Sequence, residues 1–214
     1  MPNIALYNQH DLAILEPLGG IAFVEKVVKT IRTADAAAYG ECQSAFTDIA
    51  HCDVIGEFRR SKINEAIVGL ATAMGLDCAH EKPGRQRYNN VVIRARGTLL
   101  TVARSYGRNH VSRPSGFRSE LAQMRMDFFD ESGTPYVAPD DDVRVIVLAY
   151  EVGMTGDHPV VTKIELQEIG TSPADVTYRI DLGAKAAGAT LSAHDVVFDD
   201  FDIKPKEGLM RKNA

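Results

Sequence analysis

The chain has no tryptophan, only three cysteines and no run of 18 consecutive apolar residues. A helix needs about 20 apolar residues to cross a bilayer, so the sequence predicts no membrane-spanning helix and no membrane partner. Three cysteines are an odd number and too few for a disulfide framework. The N-terminus MPNIALYNQHD lacks a basic stretch followed by an apolar core, so it does not resemble a secretory signal. We therefore expect a soluble, cytoplasmic protein with reduced thiols.

Acidic residues are absent from positions 82–118, a stretch of 37 residues. The segment carries nine positive charges, namely Lys82, Arg85, Arg87, Arg94, Arg96, Arg104, Arg108, Arg113 and Arg118. Removing its +9 from the chain's net charge of −5 leaves −14 on the other 177 residues. Charge is thus sorted along the chain. Concentrated positive charge is typical of a surface that binds an anion, and nucleic acid is the commonest large one.

The first 80 residues show mainly helical periodicity. One apolar stripe begins at Ile21, and a second helix is predicted from about Glu57 to Met74, with Gly75 as its left-handed cap. Gly40 is expected to interrupt the alanine-rich segment 34–53, which would be helical in part. Three basic residues of the second helix lie mostly outside its apolar stripe and predict a solvated face, or alternatively a phosphate contact: Arg59, Arg60 and Lys62.

An alternating apolar and polar pattern inside the basic segment predicts a β-hairpin. Its turn is placed at residues 97–98, because glycine suits the first position of a two-residue turn. That register sets Arg94 opposite Thr101 and Arg96 opposite Leu99. Both arginines would then lie on the polar face, and a slip of one residue would invert this assignment.

Residues 106–116 are predicted to form a loop, and residues 117–128 a helix, with a strand as the alternative. The final third predicts an antiparallel meander with strands at 145–152, 160–169 and 176–182, a turn at 153–159, and a further strand at 190–198. The fold class expected is α+β, an N-terminal helical region (1–80) followed by a mostly antiparallel β-sheet region (81–214), the two forming one compact unit.

Arginines interleaved with tyrosines are typical of grooves that bind single-stranded nucleic acid. The predicted nucleic-acid-binding residues are Arg85, Arg87, Arg94, Arg96, Arg104, Arg108, Arg113 and Arg118. Arg94 and Arg96 on the hairpin, with Arg108, His110 and Arg113 on the loop, would concentrate five donors within a small area. Tyr88 and Tyr106 would bracket the hairpin, either stacking on bases or packing against the sheet.

The sequence contains weak candidates for catalysis. His110 and Tyr106 have the right chemistry for proton transfer in a metal-independent nuclease, although a solvated basic loop that contains a histidine by chance is the favoured explanation. Pro139-Asp140 with Asp202-Ile203-Lys204 matches a loose metal-nuclease pattern that chance also produces at this composition. Since no cysteine pair has zinc spacing and no phosphate-binding glycine motif occurs, we predict no metal and no cofactor.

Three functions are compatible with these features. The leading hypothesis is a cytoplasmic protein that binds DNA or RNA through the arginine-rich hairpin and loop, in a regulatory or defence-type role. The second is a protein-interaction module whose basic surface binds an acidic protein or a second copy of the chain, giving a homo-oligomer. The third is an enzyme acting on a small anionic substrate, or a nuclease; the sequence does not decide whether the chain is an enzyme.

Overall fold

A computed structural model describes residues 6–46, 48–81, 90–106, 111–112, 143–156, 158–170 and 175–187. The helices are α1 (Gln9–Leu15), a 3-10 turn (Glu16–Leu18), α2 (Ile21–Ala45), α3 (Asp48–Ala73) and α4 (Leu182–Ala186). The strands are β1 (Asp77–Glu81), β2 (Asn90–Ala95), β3 (Thr98–Tyr106), β4 (Val111–Ser112), β5 (Arg144–Thr155), β6 (His158–Ile169) and β7 (Val176–Asp181). Helices precede a mostly antiparallel sheet, so the predicted α+β class is confirmed.

The sheet has the strand order β1-β2-β3-β5-β6-β7, and β4 pairs with the end of β3. All described pairs are antiparallel except β3 with β5, which is parallel from Thr98↔Arg144 to Arg104↔Tyr150. The meander β5-β6-β7 agrees with the sequence prediction. The parallel pair and strand β1, which begins just before the predicted boundary at 81, were not predicted.

The sheet has two faces. The larger core lies between the helices and one face, which we call the helical face; α2 packs over β6, and α3 packs over β1 and β2. From β3 and β5 this core receives Leu100, Val102, Ile146, Leu148 and Tyr150. A smaller cluster of buried residues lies on the second face: Val92, Ala103, Val145, Val147, Ala149 and Ile169. Successive side chains of each strand therefore lie on opposite faces of the sheet.

Both long helices extend further than predicted. Helix α2 continues through Gly40, so the expected interruption is wrong. Its buried face, from Phe23 to Cys42, spans the glycine, and this packing offsets the roughly 1 kcal/mol that an internal glycine costs a helix. Helix α3 begins at Asp48 rather than near Glu57. Gly75 has φ +71 and follows the helix, which agrees with the predicted left-handed cap.

The β2–β3 hairpin turns one residue earlier than predicted. Its central residues are Arg96 and Gly97, with φ +36 and +75, as in a type I′ turn. The observed register pairs Arg94 with Leu99, so the predicted pairing with Thr101 is wrong, and Arg96 lies in the turn rather than on the strand. The pairing partner of Arg94 is thus two residues from the predicted one. A shift by two residues leaves each side chain on the same face of the sheet, so Arg94 still lies on the predicted polar face, which is the second face, and it is exposed.

Two further loop predictions require correction. The predicted turn at 153–159 is shorter, since β5 continues to Thr155 and β6 begins at His158. The predicted loop at 106–116 contains the end of β3 at Tyr106 and strand β4, paired as Ser105↔Ser112 and Tyr106↔Val111. The segments predicted at 117–128 and 190–198 lie outside the described residues. Of the described helices, none is long and apolar enough to span a bilayer.

Candidate nucleic-acid interface

The C-terminal end of β3 carries an arginine stacked on a tyrosine. Since Leu100 and Val102 enter the helical core, alternation puts Arg104 and Tyr106 on the same face, beyond its apolar part. The Arg104 guanidinium carbon lies 4.7 Å from the centroid of the Tyr106 ring. Arg104 Nε is buried and finds no hydrogen-bond acceptor among the residues that the structure describes, while its guanidinium contacts the Tyr106 ring. The Tyr106 side chain remains 38% exposed.

Tyr150 lies beside Arg104 on the neighbouring strand, and charges of helix α3 act on it. It is the register partner of Arg104 and is 1% exposed. Burial raises the pKa of Tyr150 to about 12, while the positive charges of Arg104, Arg59 and Arg60 act in the opposite direction and lower that pKa. Three guanidinium groups from two elements are therefore close enough to act on one hydroxyl group.

Arg60 and Lys62 are the partly exposed cations of α3. The Arg60 side chain is 34% exposed and lies 3.7 Å from Glu57 one turn earlier, a separation at which an exposed ion pair contributes roughly 0–1 kcal/mol. Lys62 pairs with Glu41 at 2.9 Å and contacts the ring of Phe58. The prediction of a solvated face thus agrees with these two residues, while the alternative of a phosphate contact remains open for Arg60.

Arg59 does not belong to a solvated face. It is 2% exposed and forms a buried ion pair with Asp35 of α2, which also accepts a hydrogen bond of 2.6 Å from Val161 N. Arg59 Nη2 donates to Pro159 O at 2.7 Å. The pair therefore joins α2, α3 and the start of β6, and Arg59 has a structural role beside the interface.

The hairpin turn forms a second, separate basic region. Arg94 and Arg96 lie at the opposite end of β3 from Tyr106, about 27 Å away at the rise of an extended strand. Arg94 also lies on the second face, whereas Arg104 lies on the helical face. The hairpin therefore does not bring its described arginines together.

Several sequence candidates cannot be placed, because they lie outside the described residues. They are Lys82, Arg85, Arg87, Tyr88, Arg108, His110, Arg113 and Arg118, together with Pro139-Asp140 and Asp202-Ile203-Lys204. The prediction of five donors in a small area is untested for this reason. Strand β3 ends at Tyr106, close to Arg104 in the chain. The residues that follow Tyr106 therefore begin at this end of the strand and not at the hairpin turn.

Two charged clusters were not predicted from the sequence. On the second face, Glu165 is 5% exposed and is contacted by Lys163 at 2.7 Å and Arg179 at 3.3 Å. At the helical face, Asp11 is 2% exposed and accepts hydrogen bonds from Lys185 at 2.9 Å and Tyr178 at 3.0 Å. Each buried carboxylate has its own cations, as buried charges require. Lys163 is only two residues from Glu165 on β6, but Arg179, Tyr178 and Lys185 are far from their carboxylates in sequence, so no local pattern could reveal those contacts.

A third charged contact involves the exposed imidazole of His10. Its Nε2 lies 3.0 Å from Glu168, whose other carboxylate oxygen is 4.0 Å from Arg144. Within the part of the chain that the structure describes, no group of histidine, cysteine, aspartate or glutamate could hold a metal ion. Cys42 is buried, which raises the pKa of its thiol, and Cys78 is half-buried. Comparisons with family models, curated proteins and solved structures find no match for this chain.

Proposed function

We propose that this protein binds nucleic acid, and that the interface includes the end of β3, where Arg104 contacts the Tyr106 ring, together with Arg60 of α3, whose charge acts on the same Tyr150 as that of Arg104. The observation that carries the proposal is the Arg104–Tyr106 stack, an oriented guanidinium beside a partly exposed aromatic ring. Arginine and aromatic side chains in one place are the combination that nucleic-acid surfaces use, the first for phosphate and the second for bases.

The charge distribution supports the same proposal. The end of β3 lies within the acid-free segment 82–118, whose +9 contrasts with −14 on the rest of the chain. A polyanion would therefore be attracted to this segment and repelled by much of the remaining surface. The proposed role is binding, in regulation or defence. The choice between DNA and RNA and the possibility of cleavage are left to experiment.

Binding assays on single-charge variants test this proposal. Labelled duplex and single strands are titrated at low and moderate salt with wild-type protein and with the Arg104→Gln and Arg60→Gln variants. Each variant should weaken binding, and each lost phosphate contact should reduce the log–log salt slope by about 0.9 on duplex DNA or about 0.7 on a single strand. Lys29→Gln removes an exposed charge of α2 and serves as the matched control.

The alternative location of the interface is the hairpin turn, with Arg94 and Arg96. If Arg94→Gln and Arg96→Gln weaken binding while Arg104→Gln behaves like the Lys29→Gln control, the interface lies at the turn and the proposed location is wrong. If wild-type protein binds neither duplex nor single strands at low salt, the proposed function is wrong. Gel analysis of the same mixtures, with chelator and then with magnesium, detects cleavage and would revive the nuclease alternative.

A further inference from the structure

The Tyr106 ring is placed to take part in binding as well as in packing. Two other described tyrosines, Tyr7 and Tyr150, are buried in the helical core, whereas Tyr106 is 38% exposed at a strand end. Its ring is already in contact with Arg104, within the roughly 6 Å over which a cation and an aromatic face attract each other. The long arginine side chain is thus partly ordered before any ligand arrives, which reduces the entropy lost on binding.

We infer that Arg104 and Tyr106 hold an unpaired base, so that the ligand is single-stranded nucleic acid. This inference rests on the proposed function and narrows it. Every base has an aromatic face that can stack on a tyrosine or on a guanidinium plane, whatever its sequence. A phosphate would use the guanidinium and at most the Tyr106 hydroxyl group, and the exposed face of the ring would contribute nothing.

Single strands fit this geometry better than duplex for two reasons. In a duplex the bases stack on one another and their faces are not available to a side chain. Duplex binding depends instead on a row of phosphate contacts along a helix that carries one charge per roughly 1.7 Å. Among the described cations, Arg104 contacts the Tyr106 ring and Arg60 acts on Tyr150 of the neighbouring strand, while Arg94 and Arg96 are at the far end of β3.

Abasic oligonucleotides separate stacking from charge. Wild-type protein is titrated at low salt with a short single strand, with the same strand carrying abasic sites, and with the matching duplex. The two single strands have equal charge, so any difference between them reports base contacts. We expect the base-bearing strand to bind about tenfold or more tightly than the abasic one, as is typical of one stacked base. The duplex should bind more weakly than the base-bearing strand.

Substitutions of Tyr106 test whether its ring causes the difference in affinity between the base-bearing and the abasic strand. Tyr106→Phe keeps the aromatic face and should retain the preference for the base-bearing strand. Tyr106→Leu keeps an apolar side chain without that face and should bind both single strands equally. Thermal melts show whether each variant is folded. If Tyr106→Leu does not fold, Tyr106→Gln, a polar residue without an aromatic face at this partly exposed position, takes its place in the same comparison.

The outcomes distinguish this inference from the proposed function. Equal, salt-dependent binding of both single strands by wild-type protein would overturn stacking and leave a phosphate-binding protein. Tighter binding of the duplex would overturn the single-strand assignment and keep nucleic-acid binding. Absence of binding to all three ligands at low salt would overturn both. A base preference that survives in Tyr106→Leu would place the stacking elsewhere on the protein and refute the role of this residue.

Discussion

Removal of the buried Arg59 guanidinium should destabilise the protein severely. In Arg59→Met, Asp35 would remain 5% exposed without the guanidinium that it contacts, and Pro159 O would lose a donor. Breaking a buried ion pair by removing one partner typically costs roughly 3–5 kcal/mol. For a chain of this length that corresponds to a fall in Tm of roughly 6–20 °C. Urea unfolding followed by circular dichroism measures the change.

The neighbouring Arg60 provides the matched control. It is the same residue type on the same helix, but it is 34% exposed, so Arg60→Met should cost no more than about 1 kcal/mol. A double variant tests the cause. Asp35→Asn combined with Arg59→Met removes the stranded charge and keeps an oxygen that can accept from Val161 N. We expect it to be more stable than Arg59→Met alone, because the cost comes from the uncompensated carboxylate. Equal stabilities of Arg59→Met and Arg60→Met would refute this reasoning.

Three further predictions concern the sheet. Ile93→Ala should cost roughly 2–5 kcal/mol because the side chain is fully buried, whereas Arg94→Ala should cost no more than about 1 kcal/mol; thermal melts that rank them equally would contradict the observed register. Arg96→Asn should stabilise the protein by up to about 1 kcal/mol, since asparagine tolerates the positive φ at this turn position better than arginine; a lower Tm would argue against a type I′ turn. Because the pKa of Tyr150 is higher in the folded state than its ordinary value of 10.0, the stability it provides is fully present below about pH 10 and is lost as the pH rises towards 12. In Tyr150→Phe, the unfolding midpoint should change less with pH between about pH 9 and about pH 11.5 than it does in the wild-type protein. An unchanged pH profile would count against burial as the cause of the raised pKa.

Local patterns predicted most of the elements. The apolar stripes of α2 and α3 and the alternation in β5, β6 and β7 depend on neighbours a few residues away, which the sequence displays directly. The same rule could have revealed Arg59. Every fourth residue of α3 from position 55 is buried, namely Ile55, Arg59, Ile63, Ile67 and Ala71. Arg59 therefore stands within the apolar stripe, and an arginine in that position indicates a buried partner.

The remaining features depend on contacts that the sequence does not display. The turn was misplaced because type I′ turns favour asparagine or aspartate before glycine, and here Arg96 occupies that position. The parallel pairing of β3 with β5 joins segments separated by a long connection, which leaves no local signal. For the candidate interface, composition identified Arg104 and Tyr106. It could not show that the charges of Arg60 and Arg104 act on the same buried Tyr150, because these residues are far apart in the sequence.

The parallel β3–β5 pair has a consequence for how the protein folds. The α2–α3 pair and the β5–β6 hairpin join neighbours in sequence, so their loops close at little entropic cost and we expect them to form first. Pairing β3 with β5 must close a loop of tens of residues before any of its hydrogen bonds can form, and we expect it late. Arg104 comes to lie beside Tyr150 only after that step. The proposed binding of nucleic acid should therefore return in refolding experiments with the slowest phase, after helical circular dichroism has recovered.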